Sequence, residues 1–158
     1  MQPTSVTLAR AACCAPALET LAAERLGRRR RAVRRQLRVL PGSLWRDERV
    51  LMLARGWWGM RAGLVVATDR RLLLFARSLP LRRPRTREFA YAQLASVAGR
   101  LDGERVWLRV ECGDSVLSLE LSPADAGQEL AQLVARRAGF RRVDPLPAPI
   151  YRPGDFVG

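Results

Sequence analysis

Histidine is absent from this chain of 158 residues. Its absence removes the commonest general base and the commonest metal-binding side chain together. Lysine is absent as well, so all 28 basic residues are arginines, a choice that a GC-rich coding bias explains in a chain also rich in Ala, Gly and Pro. Cysteine is scarce. Cys13 and Cys14 are adjacent and Cys112 falls in a strand pattern, which makes neither a disulfide framework nor a zinc site. Long apolar runs are missing too. The best are Ala62–Ala67 and Leu72–Ala76, far short of the roughly 18–20 residues that span a bilayer. Arg10 interrupts the N-terminal stretch and occupies the place where a lipoprotein site ahead of Cys13 needs an aliphatic residue, so no secretion signal is read. The expected location is the cytoplasm, or peripherally the inner face of the membrane.

Catalytic constellations are equally thin. Ser43, Ser78, Ser96 and Ser118 have no nucleophile-elbow context. Gly56, Gly59 and Gly63 do not form a phosphate loop, because no Gly-Lys-Ser/Thr follows and they fall between strands. Asp47-Glu48 and Asp102/Glu104 are the acid clusters, and at strand ends or turns they read as ordinary solvated acids. The sequence therefore predicts no enzyme, no cofactor, no metal site and no small-molecule substrate.

What is present is positive charge, +13 in all, and it is unevenly placed. Residues 1–46 hold ten arginines against only Glu19 and Glu24. A helix is predicted from Pro16 to Leu40. Leu18, Ala22 and Leu26 are spaced by four and Val33, Leu37 and Leu40 continue the stripe, with Gly27 as a weak point and Pro41-Gly42 as the stop. Eight arginines and no acid lie between Arg25 and Arg38, giving a narrow apolar stripe and a wide cationic face.

Short β patterns follow. Val50–Ala54 is a first strand, and Leu64–Thr68 and Arg71–Ala76 form a hairpin across Thr68-Asp69-Arg70. Arg87–Tyr91 and Ser96–Leu101 come next. Asp102-Gly103 reads as a two-residue hairpin turn. Beyond it Val106, Leu108, Val110 and Cys112 alternate with polar or large residues, and Gly113-Asp114 turns the chain into Leu117, Leu119 and Leu121. Such alternation marks antiparallel strands with one face buried and one wet. A last helix is bounded by Ser122 as N-cap, Pro123 in its first turn and Gly139 past its end. The fold class is mainly β with α: about seven antiparallel strands in a bent sheet or partly open barrel, one C-terminal helix capping an end, and an Arg-rich N-terminal helix in front.

Two stretches carry a resemblance. Asp47-Glu48-Arg49-Val50-Leu51 and Gly63-Leu64-Val65-Val66-Ala67-Thr68-Asp69-Arg70-Arg71-Leu72-Leu73-Leu74-Phe75 resemble the bacterial PH-like (YokE-like) domain family, and Tyr91–Val97 is similar to a later element of that family. The likeness covers about residues 44–139 and leaves residues 1–43 as an Arg-rich helical extension and 141–158 as a Pro-rich tail. It implies a PH-like fold with a binding role, and places the segment after the first strand at the open barrel end where ligands bind.

The candidate binding residues form two groups. One is the polybasic helix, with Arg28, Arg29, Arg30, Arg31, Arg34, Arg35 and Arg38. The other is Arg55, Trp57, Trp58 and Arg61 in Arg55–Arg61, where two indoles beside guanidinium groups suit an interface. Arg77, Arg82, Arg83, Arg85 and Arg87 could extend the cationic surface. Tail residues Ile150, Tyr151, Phe156 and Val157 are apolar enough to dock on the protein or on a partner. The sequence thus predicts a non-catalytic module docking on an acidic partner: a protein or a second copy first, an anionic membrane surface second. Nucleic acid ranks third, since the Arg-rich helix is poor in aromatic residues for base stacking, and the alternative function is an accessory nucleic-acid-binding protein acting through that helix.

Overall fold

A computed structural model of the chain describes residues 17–59, 61–76 and 86–147. Seven strands run antiparallel in sequence: β1 (Val50–Trp58), β2 (Arg61–Thr68), β3 (Arg71–Ala76), β4 (Thr86–Ala90), β5 (Leu94–Asp102), β6 (Arg105–Cys112) and β7 (Ser115–Ser122). They lie in the order β4-β3-β2-β1-β7-β6-β5, and the sheet stays open because β4 and β5 do not pair. This is the bent sheet with an unclosed seam that the residue patterns and the PH-like resemblance predict. The helices are α1 (residues 17–26), α2 (Arg34–Ser43) and α3 (Ala124–Arg137), with a 3-10 segment at Gly27–Val33.

Sequence parity decides which faces are covered. In β6 and β7 every second residue is buried, and Val106, Leu108, Val110, Leu117, Leu119 and Leu121 point into a core sealed by Leu130, Ala131 and Val134 of α3. Strand β3 is buried at all six residues, and β2 from Gly63 to Thr68. An uninterrupted apolar strand needs cover on both faces. Val65, Ala67, Leu72 and Leu74 meet the α3 core, whereas Leu64, Val66, Leu73 and Phe75, with Leu53 of β1, meet Ala22, Leu26, Val33 and Leu40 of the N-terminal segment. The predicted apolar stripe therefore lies against the sheet, and α1 to α2 roofs the outer side of β1–β3.

The segment is not the single helix predicted from Pro16 to Leu40. Gly27 adopts φ +50°, which an α-helix cannot contain, and the chain passes through the 3-10 turn before α2 starts. Nor does Pro41 end α2, which continues to Ser43. A proline near a helix end forfeits one hydrogen bond, and Arg71 Nη2 ties down the terminal carbonyl of Ser43 at 2.9 Å.

Two cap assignments also shift. Ser122 is the last residue of β7, not the N-cap, and its hydroxyl accepts a bond from Arg29 Nη1 at 2.7 Å; Pro123 stands at the cap position. Asp102 pairs with Arg105, so the hairpin turn is Gly103-Glu104. After α3 the chain returns along β5, where β8 (Asp144–Pro145) pairs in parallel with Ala98 and Gly99, and Leu146 N donates to Gly99 O at 3.0 Å. Residues 141–147 of the tail thus lie on the β5 edge, while Ile150, Tyr151, Phe156 and Val157 fall outside the described residues.

Candidate docking surface

Packing of the roof fixes where its arginines point. Val33, Gln36 and Leu40 face the sheet, so Arg28, Arg30, Arg31, Arg34, Arg35 and Arg38 are exposed, while Arg29 is half-buried. Arg30 lies 4.0 Å from Glu19, and Arg25 pairs with Glu129 of α3 at 2.5 Å. Arg28, Arg31, Arg34, Arg35 and Arg38 form no ion pair with any described residue. The result is an outward cationic face on a support packed against the sheet through Ala22, Leu26, Val33 and Leu40.

Arg55, Trp57 and Trp58 do not lie in a loop. Strand β1 runs through to Trp58, and the turn that follows contains Gly59 at φ +59°. The reason lies in pairing: Trp57 is opposite Ala62 and Trp58 opposite Arg61, so the ladder extends to the end of the hairpin. Consecutive strand residues face opposite ways. Trp58 packs against the α3-sealed core, and its Cη2 would lie 2.5 Å from a Cβ at residue 63, which explains glycine there. Trp57 takes the outer face, where the Arg55 guanidinium sits 4.4 Å from its ring centroid.

The outer row does not stop at Trp57. Trp57 is opposite Glu120 of β7, Glu120 is opposite Trp107 of β6, and Trp107 is opposite Arg100 of β5. Directly opposed residues share a face. Two half-buried indoles therefore flank Glu120 across the open side of the sheet, and the carboxylate accepts from Arg105 Nη1 at 2.6 Å. The roof meets this row at the neighbouring register position, where Ser122 is opposite Arg55 and binds Arg29. The sequence places Trp107 on the wet face of its strand, with Arg109 and Glu111, but not among the candidate binding residues. Its parity in an otherwise alternating strand, with Val106 and Leu108 inward, was the available signal.

Arg61 is elsewhere. With Trp58, Arg87, Val116 and Ser118 it lines a cleft of about 440 Å³ at the β1–β2 hairpin end. The structure thus splits the predicted indole group: Trp58 and Arg61 border the cleft, and Arg55 and Trp57 lie on the outer face of the sheet. Met60, Arg77, Arg82, Arg83 and Arg85 fall outside the described residues.

Glu48 is not a solvated acid. Its side chain is 0% exposed and Arg71 is 4% exposed. Arg71 Nε and Nη2 donate to Glu48 Oε1 and Oε2, both at 2.9 Å, and Trp45 N and the Thr68 hydroxyl donate to the same carboxylate at 2.7 Å each. Arg71 also bonds Glu88 and lies 3.9 Å over the Trp45 ring. Burial by itself would raise the Glu48 carboxyl, but the Arg71 hydrogen bonds, the Trp45 and Thr68 donors and the Arg71 charge hold it below the usual carboxylate range. The two motif stretches that suggested a PH-like chain, one around Glu48 and one around Thr68–Arg71, are the two halves of this buried clamp. Tyr91 closes it by donating to Thr68 O at 2.8 Å, and burial pushes its phenol upward.

Among the described residues no three His, Cys, Asp or Glu side chains gather to hold a metal, and no helix is long and apolar enough to cross a membrane. Fold and surface together define an open seven-strand antiparallel sheet sealed by one C-terminal helix and covered on its outer side by an arginine-faced helical roof. No protein-family model matches the chain, and no curated protein matches it. Among solved structures it is similar to the hSac2 domain from human phosphoinositide phosphatase Sac2, with a TM-score of 0.44 and 10% identity over 75% of this chain and 91% of that one. It is also similar to a pleckstrin homology domain from Shewanella amazonensis SB2B, with a TM-score of 0.44 and 15% identity over 72% of this chain and 97% of that one.

Proposed function

We infer that this chain is a non-catalytic docking module that engages an acidic partner through the arginine face of its helical roof. The observation that carries this reading is the outward display of Arg28, Arg31, Arg34, Arg35 and Arg38 on a support whose apolar side is consumed by the sheet. Free polybasic segments lose ordering entropy on binding, whereas a roof already packed over Phe75 and Leu73 loses little. Each such arginine near an anionic surface contributes on the order of 1 kcal/mol before salt screening. The five together support weak, salt-sensitive docking.

Replacement of Arg28, Arg31, Arg34, Arg35 and Arg38 by glutamine tests the reading. Wild-type protein on immobilised polyglutamate, or on vesicles containing phosphatidylserine, is expected to be retained at low salt and released as salt rises. The variant is expected to pass through while keeping its circular dichroism and melting temperature. Equal retention of the two proteins would overturn the reading.

A further inference from the structure

We propose that the outer face of β1, β7, β6 and β5 is a stacking platform for single-stranded nucleic acid, its bases lying on Trp57 and Trp107 and its phosphates on the adjoining edge of the roof. This builds on the docking role of the roof and names a partner for it. The sequence ranked nucleic acid third because the polybasic helix is poor in aromatic residues to stack a base. The fold supplies two from other strands.

Three observations support the platform. The register Trp57–Glu120–Trp107–Arg100 puts both indoles in one row on the same face. At ordinary strand spacing their backbones are about 10 Å apart, a separation that lets each indole take its own base. The second observation is the distribution of charge. On β5, β6 and β7 the cations are internally matched, with Arg105 on Glu120 at 2.6 Å, Arg109 on Glu111 at 3.0 Å and Arg100 on Asp102 at 3.6 Å, while Arg55 of β1 stands 4.4 Å over the Trp57 ring and leaves that indole's other face for a base. The floor is close to neutral, as a surface that receives bases rather than phosphates should be. The third is adjacency. Arg29 reaches Ser122 at 2.7 Å, one register row from Trp57, and Arg28 and Arg31, exposed in the same 3-10 segment, would supply the cationic rail at that edge. A polymer with planar groups on one side and charge on the other matches a neutral aromatic floor with a charged rim.

The test uses a fluorescein-labelled oligothymidylate of about 16 nucleotides, the length scale of single-strand sites, its duplex with oligoadenylate, and vesicles containing phosphatidylserine. Anisotropy is expected to show the single strand bound at least about tenfold more tightly than the duplex, with quenching of intrinsic tryptophan fluorescence. Trp57→Leu and Trp107→Leu are each expected to weaken single-strand binding about tenfold and leave its salt dependence unchanged, since stacking is separable from phosphate contacts. The quenching in unmodified protein reads the same contact should either variant fold poorly. Equal affinity for single strand and duplex without quenching would overturn the platform, as would vesicles displacing the oligonucleotide while the tryptophan variants bind it normally. If the five-arginine variant keeps wild-type affinity and salt dependence while the tryptophan variants lose binding, base stacking on Trp57 and Trp107 stands, and both the cationic rail and the docking role of the roof fall.

Discussion

Arg71→Ala should be among the most damaging single changes in this protein, and its effect can be worked from the clamp. Glu48 has no exposed side-chain surface and accepts four hydrogen bonds, two of them from Arg71. Truncating Arg71 leaves a carboxylate in the interior with only Trp45 N and the Thr68 hydroxyl, and it frees the Ser43 carbonyl at the end of α2. Removing one partner of a buried pair costs about 3–5 kcal/mol. For a chain of this size that is roughly 6–20 °C in melting temperature. Replacing both partners with apolar residues of similar volume, as in Glu48→Leu with Arg71→Met, should recover most of the loss, because neither charge is then stranded. The pH dependence gives an independent check. The folded Glu48 carboxyl titrates below its ordinary value of 4.5. Its contribution is therefore fully present above that value and fades as the pH falls through the lower, folded value. Glu48→Gln should flatten that acid limb. Denaturant melts of all four proteins across acid pH would measure both effects. A loss below about 1 kcal/mol for Arg71→Ala, within the range of an ordinary surface pair, or an unchanged acid limb in Glu48→Gln, would refute the reasoning.

Other outcomes follow from packing. Gly63→Ala would put a methyl 2.1 Å from Phe75 O and 2.5 Å from Trp58 Cη2, so it should destabilise by about 3 kcal/mol or more in chemical denaturation. Leu40→Ala, in a fully buried position of the roof, should cost about 2–5 kcal/mol and increase proteolysis of residues 17–43. The five-arginine variant should change stability by less than about 0.5 kcal/mol, since those side chains are exposed. Tyr91→Phe should cost about 1 kcal/mol by leaving Thr68 O without its donor. With its phenol raised above the ordinary 10.0, the neutral form of Tyr91 stabilises the fold below that value and the contribution is lost as the pH climbs, which ultraviolet titration beside an alkaline melt would register.

The strands that alternate were readable from parity alone. Arg71–Ala76 was bounded correctly at both ends, and Val106, Leu108, Leu117 and Leu119 point where alternation put them. The last helix and the count of seven antiparallel strands in an unclosed sheet were also legible. What escaped involves contacts distant in sequence. Glu48 and Arg71 are 23 residues apart, and nothing local distinguishes a solvated acid at a strand start from one awaiting an arginine on a later hairpin. Trp107 gains meaning only when the register brings it beside Glu120 and Trp57. The roof was half visible. Its apolar stripe was read, and the unbroken run Leu72–Phe75 demanded a second cover, but periodicity does not say which helix covers which strand. Strand β1 ran past Ala54 because hairpin pairing carried Gly56 and both tryptophans into the ladder despite glycine's low strand propensity.

The double-sided burial of β1–β3 sets how this protein can be divided. Sequence resemblance draws a tidy boundary near residue 44, but a fragment begun there would bare Leu53, Leu64, Val66, Leu73 and Phe75 to water as one contiguous greasy band. Such a fragment should clump or recruit a surrogate lid, so binding measured on it would report stickiness instead of recognition.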